Sequence, residues 1–233
     1  MSSQTTGLAL STARAHAGMR DRIYGESVNL SLLRLFSPGP RVLDIGCGTG
    51  AWGTELRSRG ARELWGVEIA SEAATAAAAI YDRVLTKPSE ELGTGDLQGR
   101  FDTIIAADVI EHLVDPFEEL YRWREWCAPG GELVISTPNL RYFRVLWCLV
   151  ARGRFDYVDG GGVMDRTHLR WFTEASLTAA LLTAGWKVAR RGRLASGKSG
   201  RLNSLTGGRL NGYLAPQIQL VAVNAAADPK AWR

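Results

Sequence analysis

The sequence contains little cysteine and no long apolar run. Its three cysteines, Cys47, Cys127 and Cys148, are widely spaced and form no C-x-x-C pair. This pattern argues against a disulfide scaffold and a zinc ribbon, and it indicates reduced thiols. The longest strongly apolar run, residues 145–151, is far shorter than the roughly 20 residues that cross a bilayer. Residues 1–20 carry no evident signal peptide, and we therefore expect a soluble, cytoplasmic protein without a membrane span.

Acidic residues are missing from a long stretch near the end of the chain, residues 175–227. This basic window carries seven basic residues: Lys187, Arg190, Arg191, Arg193, Lys198, Arg201 and Arg209. The rest of the chain has 21 basic and 24 acidic residues, so the formal net charge of +4 arises from the window alone. Such a patch is typical either of a solvated surface or of a site for an anionic partner. The sequence leaves both interpretations open.

The remaining composition is that of a globular protein, with 45% hydrophobic and 22% charged residues. Short apolar runs predict seven strands, at residues 41–45, 64–67, 83–85, 101–107, 133–136, 187–189 and 217–223. Helical patterns lie between them, at residues 52–59, 71–80, 116–127 and 174–184. This alternation predicts an α/β fold with a doubly wound, mostly parallel sheet. Because residues 190–211 are too irregular for a standard crossover, we expect the last strand to be antiparallel.

No repeat or linker divides the chain, so we predict one domain over residues 1–233. Residues 1–40 precede the first strand and are predicted to form a helical lid that contains Tyr24. Residues 138–173 form a long insertion after the fifth strand. Long connections at the carboxyl edge of an open sheet commonly build ligand pockets. We therefore expect the substrate at this insertion.

A glycine-rich loop, Asp44-Ile-Gly-Cys-Gly-Thr-Gly50, follows the first predicted strand. Glycines let the backbone turn sharply and approach a ligand, and the next helix begins with free N–H groups. Residues 48–53 match G-x-G-x-x-G, and Glu68 follows about 20 residues later, as a nicotinamide dinucleotide site requires. The first glycine is Gly46, however, which places the tight turn ahead of that match. Asp44 would repel a pyrophosphate but would attract an ammonium group. Since Glu68 can accept two hydrogen bonds from a ribose diol, the combination fits S-adenosylmethionine (SAM).

Four segments in the same order resemble the class I SAM-dependent methyltransferases over roughly residues 24–225. They are residues 42–50, Glu68, residues 101–113 and residues 128–136. The resemblance implies a Rossmann-like seven-stranded sheet with an antiparallel last strand. The SAM site is predicted to contain Tyr24, Asp44, Gly46, Cys47, Gly48, Glu68, Ile69, Lys87 and Asp108. The family usually has an acidic residue after the third strand, where this chain has Thr86-Lys-Pro-Ser89. In place of an acidic side chain, backbone groups of Thr86 or Lys87 would serve to contact the adenine.

Titratable side chains cluster at the end of the fourth predicted strand. Asp108, Glu111 and His112 share one face of a helical turn, and His168 can reach the same place from the long insertion. A hydroxyl acceptor is a poor nucleophile at neutral pH, so a general base such as His112, His168 or Glu111 would contribute on the order of 10²–10⁴-fold. A metal ion would do comparable work by lowering the pKa of the hydroxyl.

The same residues resemble the acidic-x-x-Glu-His motif and the later histidine of ubiquinone-type O-methyltransferases and of small-RNA 3′-end 2′-O-methyltransferases. In those families the motif implies a divalent cation such as Mg²⁺ or Mn²⁺. Asp108, Glu111, His112 and His168 would be its ligands here. This chain has Asp108 where those families have a first Glu. Metal ligation, a metal-free base and a purely structural role all remain open.

Residues 138–139 and 165–173 resemble a bacterial subgroup associated with cell-surface glycans and natural products. We therefore predict methylation of a hydroxyl group on a small or glycan-like acceptor, which the basic window would suit if it is anionic. Asn139 and Arg166 are candidates for binding that acceptor, whereas Trp171 and Phe172 are expected in the core. Alternatives are an RNA 2′-O-methyltransferase, a nicotinamide-dependent dehydrogenase and a SAM-binding subunit without catalysis. Nucleic acid is the less favoured partner, because no RNA-binding module is evident.

Overall fold

The fold is seen in a computed structural model that describes residues 28–159, 161–192 and 203–225. The strands of the sheet are β1 (Arg41–Ile45), β2 (Glu63–Val67), β3 (Arg83–Leu85), β4 (Phe101–Ala107), β5 (Cys127–Pro138), β6 (Trp186–Arg191) and β7 (Gln217–Asn224). Their spatial order is β3-β2-β1-β4-β5-β7-β6. The pairs among β1 to β5 are parallel, and β7 runs antiparallel to both β5 and β6. The predicted seven-stranded α/β sheet with an antiparallel last strand is confirmed.

The helices of the described chain include α1 (Leu30–Leu33), α2 (Ala51–Ser58), α3 (Ser71–Ala77), α4 (Pro116–Trp126), α5 (Phe143–Arg152), α6 (Glu174–Thr183) and α7 (Asn211–Leu214). Short 3₁₀ helices lie at Ser89–Glu91, Gly95–Leu97 and Ile110–His112. The sequence pattern predicted α2, α3, α4 and α6 to within a few residues. It did not predict α5, which lies in the long insertion, or α7, which begins where the irregular segment of residues 190–211 ends.

The fifth strand begins earlier than predicted, at Cys127 rather than at residue 133. Cys127 pairs with Phe101 on β4, and a register shift separates this pair from the regular ladder that follows. The carbonyl oxygen of Cys127 accepts a hydrogen bond of 2.8 Å from Nδ2 of Asn224 on β7. The pair with Phe101 and the Asn224 side chain therefore hold the start of the strand, ahead of an Ala-Pro-Gly-Gly sequence that by itself is typical of a turn.

Alternate residues of each strand face opposite sides of the sheet, so each side carries its own core. Leu43 of β1 packs on the side of Trp123, whereas its neighbour Val42 packs on the side of Leu56. The side covered by α4 and α6 contains buried tryptophans, and Trp186 donates a 2.9 Å hydrogen bond to the Leu120 carbonyl of α4. Two covered faces leave the carboxyl edge of the parallel strands as the place where loops can form a site.

The segment before β1 packs against the sheet as far as the structure describes it. Leu32 and Leu33 of α1 are fully buried, and Asn29 caps α1 by accepting a hydrogen bond from the Leu32 N–H. Tyr24 lies outside the described residues, so a lid formed by residues 1–40 stays a prediction, as does the single-domain boundary. Among the described helices, none is long and apolar enough to span a membrane.

Candidate functional site

A cavity of about 580 Å³ opens at the carboxyl edge of the parallel strands, within the usual size range of ligand pockets. Three groups of predicted site residues line it together. They are the glycine loop with Gly46, Cys47 and Gly48, the end of β2 with Glu68 and Ile69, and the set Asp108, Glu111, His112 and His168. The structure therefore brings the predicted cofactor residues and the predicted chemical groups into one space.

The glycine loop turns sharply at its first glycine. Gly46 has φ +73°, and a Cβ atom there would lie 2.7 Å from Cγ2 of Val109. The N–H groups of Gly46 and Cys47 donate to the Val67 carbonyl at 2.8 and 3.1 Å, which fastens the turn to the end of β2. Gly53 instead faces the protein interior, where a Cβ would meet Ile80 at 2.6 Å. The tight turn at Gly46 thus comes ahead of the G-x-G-x-x-G match, whose first glycine, Gly48, lines the cavity and whose last, Gly53, does not.

Asp44 lies behind this loop and not in the cavity wall. Its carboxylate is 1% exposed and accepts a 2.5 Å hydrogen bond from the Tyr81 hydroxyl. Burial raises the pKa of Asp44 to about 7, although the Tyr81 hydrogen bond opposes the shift. Lys87 is exposed and does not line the cavity either.

Glu68 is held in place by two backbone N–H groups. Gly48 donates to its Oε2 at 2.9 Å and Ala70 donates to its Oε1 at 2.8 Å. Each carboxylate oxygen has a further lone pair, so both can still accept a hydroxyl group of a ligand. The arrangement aims the carboxylate into the cavity before any ligand binds.

An acidic residue does line the cavity after β3. It lies one position beyond residues 86–89, in which the family's acidic residue was expected. The 3₁₀ helix Ser89–Glu91 follows β3, and Ser89 and Glu90 line the cavity. Sequence reasoning stopped at Ser89 and missed Glu90, because the helical turn that carries it inward leaves no local pattern.

His112 and His168 meet in the cavity with their ring centroids 4.9 Å apart. Nδ1 of His112 faces the Thr167 carbonyl oxygen at 3.2 Å, and Nδ1 of His168 faces the Val163 carbonyl oxygen at 3.1 Å. Because a carbonyl oxygen only accepts, we assign the ring proton to Nδ1 in both residues. Each Nε2 then carries the lone pair, which can bind a metal ion or take a proton.

Glu111 completes this histidine pair. Its Oε2 accepts a 2.9 Å hydrogen bond from the Thr137 hydroxyl, whereas the buried Oε1 has no hydrogen-bond partner among the described residues. Burial, and then the nearby Asp108, raise the pKa of Glu111 well above its usual range. Ligand atoms of Glu111, His112 and His168 all lie within 4.8 Å of one another. One carboxylate and two imidazoles suit a divalent cation.

Asp108 lines the same cavity but is not part of that group of three. It has φ +57°, the one positive φ of a non-glycine residue in the described chain. Its carboxylate accepts hydrogen bonds from Ser136 Oγ at 3.0 Å and from Gln217 Nε2 at 2.6 Å. Gln217 in turn accepts a 2.7 Å hydrogen bond from Asn29. Sequence reasoning missed Gln217 and Asn29, since both approach from distant parts of the chain.

The insertion is tied to the turn after β4, which explains how His168 reaches the cavity. The Glu111 carbonyl accepts hydrogen bonds from the N–H groups of Leu169 at 2.8 Å and Arg170 at 3.0 Å. Asp165, fully buried, accepts from the Gly161 N–H at 2.7 Å and from the Thr167 N–H at 2.8 Å. These bonds fix the loop backbone on both sides of the histidine.

The residues that were candidates for acceptor binding do not line the cavity. The Asn139 side chain donates to the carbonyl groups of Gly212 at 2.9 Å and Ala215 at 2.8 Å. Arg166 is exposed and pairs with Asp159. Phe172 is a core residue as expected, at 4% exposure, whereas Trp171 is only partly buried and contacts the ring of Phe155.

The basic window is partly neutralised by acids from other segments. Arg190 pairs with Glu132 and Arg191 with Glu174, each at 2.6 Å. Neither arginine lines the cavity. Arg193, Lys198 and Arg201 lie outside the described residues.

Comparison with known proteins identifies the class. The family model described as a methyltransferase domain matches residues 19–190, more than half of the chain, and the chain belongs to this family. The predicted resemblance to SAM-dependent methyltransferases is confirmed.

Similar sequences include two ubiquinone biosynthesis O-methyltransferases. That of Alkalilimnicola ehrlichii is 33% identical over 43% of this chain and 42% of its own length. That of Psychrobacter arcticus is 30% identical over 64% of this chain and 59% of its own length. The chain thus spans about half the length of the curated relatives it matches. A SAM-dependent methyltransferase from Mesorhizobium loti superimposes with a TM-score of 0.59 at 17% identity, covering 86% of this chain and 98% of its own, a likeness of fold.

Proposed function

We propose that this protein transfers the methyl group of SAM to a hydroxyl oxygen of a small molecule. The observation that carries the proposal is the shared cavity, which the glycine turn and Glu68 line together with the histidine pair and Glu111. The family membership supports methyl transfer, and the names of the curated relatives support an oxygen acceptor.

The cofactor would lie along the glycine turn. The ribose hydroxyls would donate to the Glu68 carboxylate, whose two backbone donors hold it toward the cavity. Ile69 offers an apolar surface to the adenine, and the Glu90 carboxylate can accept from the adenine amine. The methionyl ammonium would lie near Gly46 and Asp108, with the buried Asp44 behind the loop adding negative charge once it ionises.

The chemical step is a displacement at the methyl carbon. The acceptor oxygen attacks this carbon, the carbon–sulfur bond breaks, and S-adenosylhomocysteine leaves as a neutral thioether. Without a cation at the histidines, the hydroxyl proton passes to Nε2 of His112 or His168, because the Nδ1 hydrogen bonds to backbone carbonyls leave the lone pair of the neutral ring on Nε2. Binding both reactants in one cavity supplies the in-line alignment.

A divalent cation fits the group of Glu111, His112 and His168. The donor atoms lie close together, and the buried Oε1 of Glu111 has no described hydrogen-bond partner. When bound, the cation would lower the pKa of the acceptor hydroxyl. Asp108, predicted as a fourth ligand, is held by Ser136 and Gln217.

Calorimetric titration with SAM and with NAD tests the cofactor. Saturable SAM binding, together with transfer of the SAM methyl group to a panel of phenols and catechols, is the expected result. Binding of NAD without SAM would contradict the proposal and would favour a dehydrogenase. SAM binding without transfer to any hydroxyl compound would leave a SAM-binding protein of another activity.

Chelation and two variants separate the roles of the histidines. His112→Ala and His168→Ala should each abolish transfer and retain SAM binding. Activity lost on EDTA treatment and restored by Mg²⁺ or Mn²⁺ would support the cation, whereas full activity after chelation would leave the histidines as metal-free bases. Arg166→Ala is the matched control, because Arg166 lies in the same insertion but outside the cavity wall.

A further inference from the structure

A buried carboxyl group on α4 lies behind the cavity wall and is bonded to it. Glu119 is 1% exposed and does not line the cavity. Its Oε2 accepts a 3.1 Å hydrogen bond from Nε1 of Trp123, and its Oε1 pairs with the Arg122 guanidinium. The Ser89 hydroxyl donates a further hydrogen bond to this carboxylate. Because Ser89 is itself a buried residue of the cavity wall, Glu119 is one hydrogen bond away from the site.

Ser89 begins the short 3₁₀ helix Ser89–Glu91, which we call the Ser89 turn. Two residues of this turn, Ser89 and Glu90, line the cavity. The turn is closed by two backbone bonds, from the Glu91 N–H to the Pro88 carbonyl at 3.0 Å and from the Leu92 N–H to the Ser89 carbonyl at 3.1 Å. A single turn of this kind has little rigidity of its own. Its bond to the longer helix α4 therefore helps to fix where it lies.

The partners of Glu119 suit a carboxylate better than a carboxylic acid. A guanidinium and an indole nitrogen only donate hydrogen bonds, so Arg122 and Trp123 cannot accept one. Among these three partners, the Ser89 hydroxyl alone can also accept. When Glu119 takes up a proton, its hydrogen bond with Ser89 therefore reverses direction. A bond between two neutral groups is about half as strong as one to a carboxylate, so protonation loosens the link to the Ser89 turn.

Glu119 changes its charge close to neutral pH. Burial raises the pKa of Glu119 to about 7, although the Ser89 hydrogen bond and the charge of Arg122 oppose the shift. The charge of Glu90 on the Ser89 turn adds to the shift, and the hydrogen bond from Trp123 opposes it. Glu119 is therefore mostly neutral at about pH 6 and mostly ionised at about pH 8.

We propose that Glu119 is a positioning residue for the cofactor, whose carboxylate holds the Ser89 turn against the adenine so that SAM binds more tightly when Glu119 is ionised. The inference deepens the proposed function and rests on it, because the adenine is assigned to this end of the cavity. Glu119 acts through Ser89 and does not line the cavity itself.

Calorimetric titration of the full-length chain with SAM, at about pH 6 and about pH 8, tests the proposal. Glu119→Gln keeps the size of the side chain but is neutral at every pH. Near pH 6 the variant should bind SAM as the unchanged protein does, and near pH 8 at least about fivefold more weakly. Asp44 and the other ionisable groups of the cavity are the same in both proteins. Their contribution therefore cancels in the ratio of the two affinities.

A second variant, Ser89→Ala, removes the other end of the link. It should weaken SAM binding more near pH 8 than near pH 6, and in this background Glu119→Gln should have no further effect. Ser89→Ala decides the question if Glu119→Gln does not fold. The matched control is Glu118→Gln, which neutralises an exposed carboxylate at the neighbouring position of α4 and should bind SAM as the unchanged protein does. Thermal melting shows which variants are folded.

Three outcomes would overturn the positioning role. The loss of affinity in Glu119→Gln could be the same at both pH values, which would make Glu119 a structural residue. The Glu118→Gln control could lose as much affinity, which would assign the effect to net charge. The rate of methyl transfer could fall while the affinity for SAM stays unchanged, which would connect Glu119 to the acceptor. Absence of SAM binding by the unchanged protein would instead contradict the proposed function, and this inference with it.

Discussion

The hydrogen bond between Tyr81 and Asp44 should contribute more to stability as pH rises. Asp44 is fully buried beneath the glycine loop, and its pKa is raised from 3.8 to about 7. A carboxyl group whose pKa is higher in the folded protein binds its proton more tightly there, so stability falls as pH rises from about 4 to about 7. The shift corresponds to about 4 kcal/mol at most, lost by the upper end of that range.

Tyr81→Phe removes the hydroxyl group and keeps the ring that packs against Gly53. Near pH 5 the carboxyl group of Asp44 is protonated, and the variant loses about 1 kcal/mol, the contribution of a neutral hydrogen bond. Near pH 8 the unchanged protein holds a carboxylate, which the tyrosine stabilises by roughly 2–3 kcal/mol. The loss of unfolding free energy should therefore grow by about 1–2 kcal/mol between the two pH values.

Urea unfolding of four proteins measures this growth: the unchanged chain, Tyr81→Phe, Asp44→Asn and the double variant. In the Asp44→Asn background, Tyr81→Phe should cost the same at both pH values, because the asparagine carries no charge and burial raises the pKa of Tyr81, which stays neutral at both. In the chain that retains Asp44, Tyr81→Phe should cost more unfolding free energy at the higher pH. An equal or smaller cost at the higher pH would refute the argument that the tyrosine stabilises an ionised Asp44.

Three further changes test other parts of the structure. Burial raises the pKa of Glu119 to about 7, so the unfolding free energy of the unchanged protein should fall between about pH 4.5 and 7, and Glu119→Gln should reduce this fall. The same dependence of the melting temperature on pH in both proteins would contradict this. Gly66→Ala should weaken SAM binding at least about tenfold, because the new Cβ would lie 2.6 Å from Sγ of Cys47 in the cavity wall. An unchanged affinity for SAM in calorimetry would show that the glycine loop moves to make room for the methyl group. Gln217→Ala should cost about 1–3 kcal/mol of unfolding free energy and lower the rate of methyl transfer, because it leaves the Asp108 carboxylate with one fewer donor. Gln217→Glu should lower both quantities further, because it places a second carboxylate beside Asp108. Equal losses in the two variants would contradict the role of Gln217 as a donor to Asp108.

The sequence by itself determined the fold class and the place of the site. Alternating apolar runs and helical patterns are local, and the parallel order follows from few connection rules. The glycine turn at Gly46 and the turn after β4 with Glu111 and His112 are also local features, so their residue types indicated where a ligand would lie.

The tertiary structure decided which of these side chains meet. His168 reaches His112 because Leu169 and Arg170 donate to the Glu111 carbonyl. Gln217 reaches Asp108 because β7 is inserted antiparallel between β5 and β6.

The same dependence on distant segments governs charge and exposure. Arg190 and Arg191 look unbalanced in the sequence but are paired with Glu132 and Glu174 in space. The apolar run of residues 145–151 is hydrophobic enough for a core, yet none of the residues of α5 is fully buried in the described chain. Local patterns report what a segment prefers, whereas burial and ion pairing depend on what other segments bring against it, and only the folded chain contains that information.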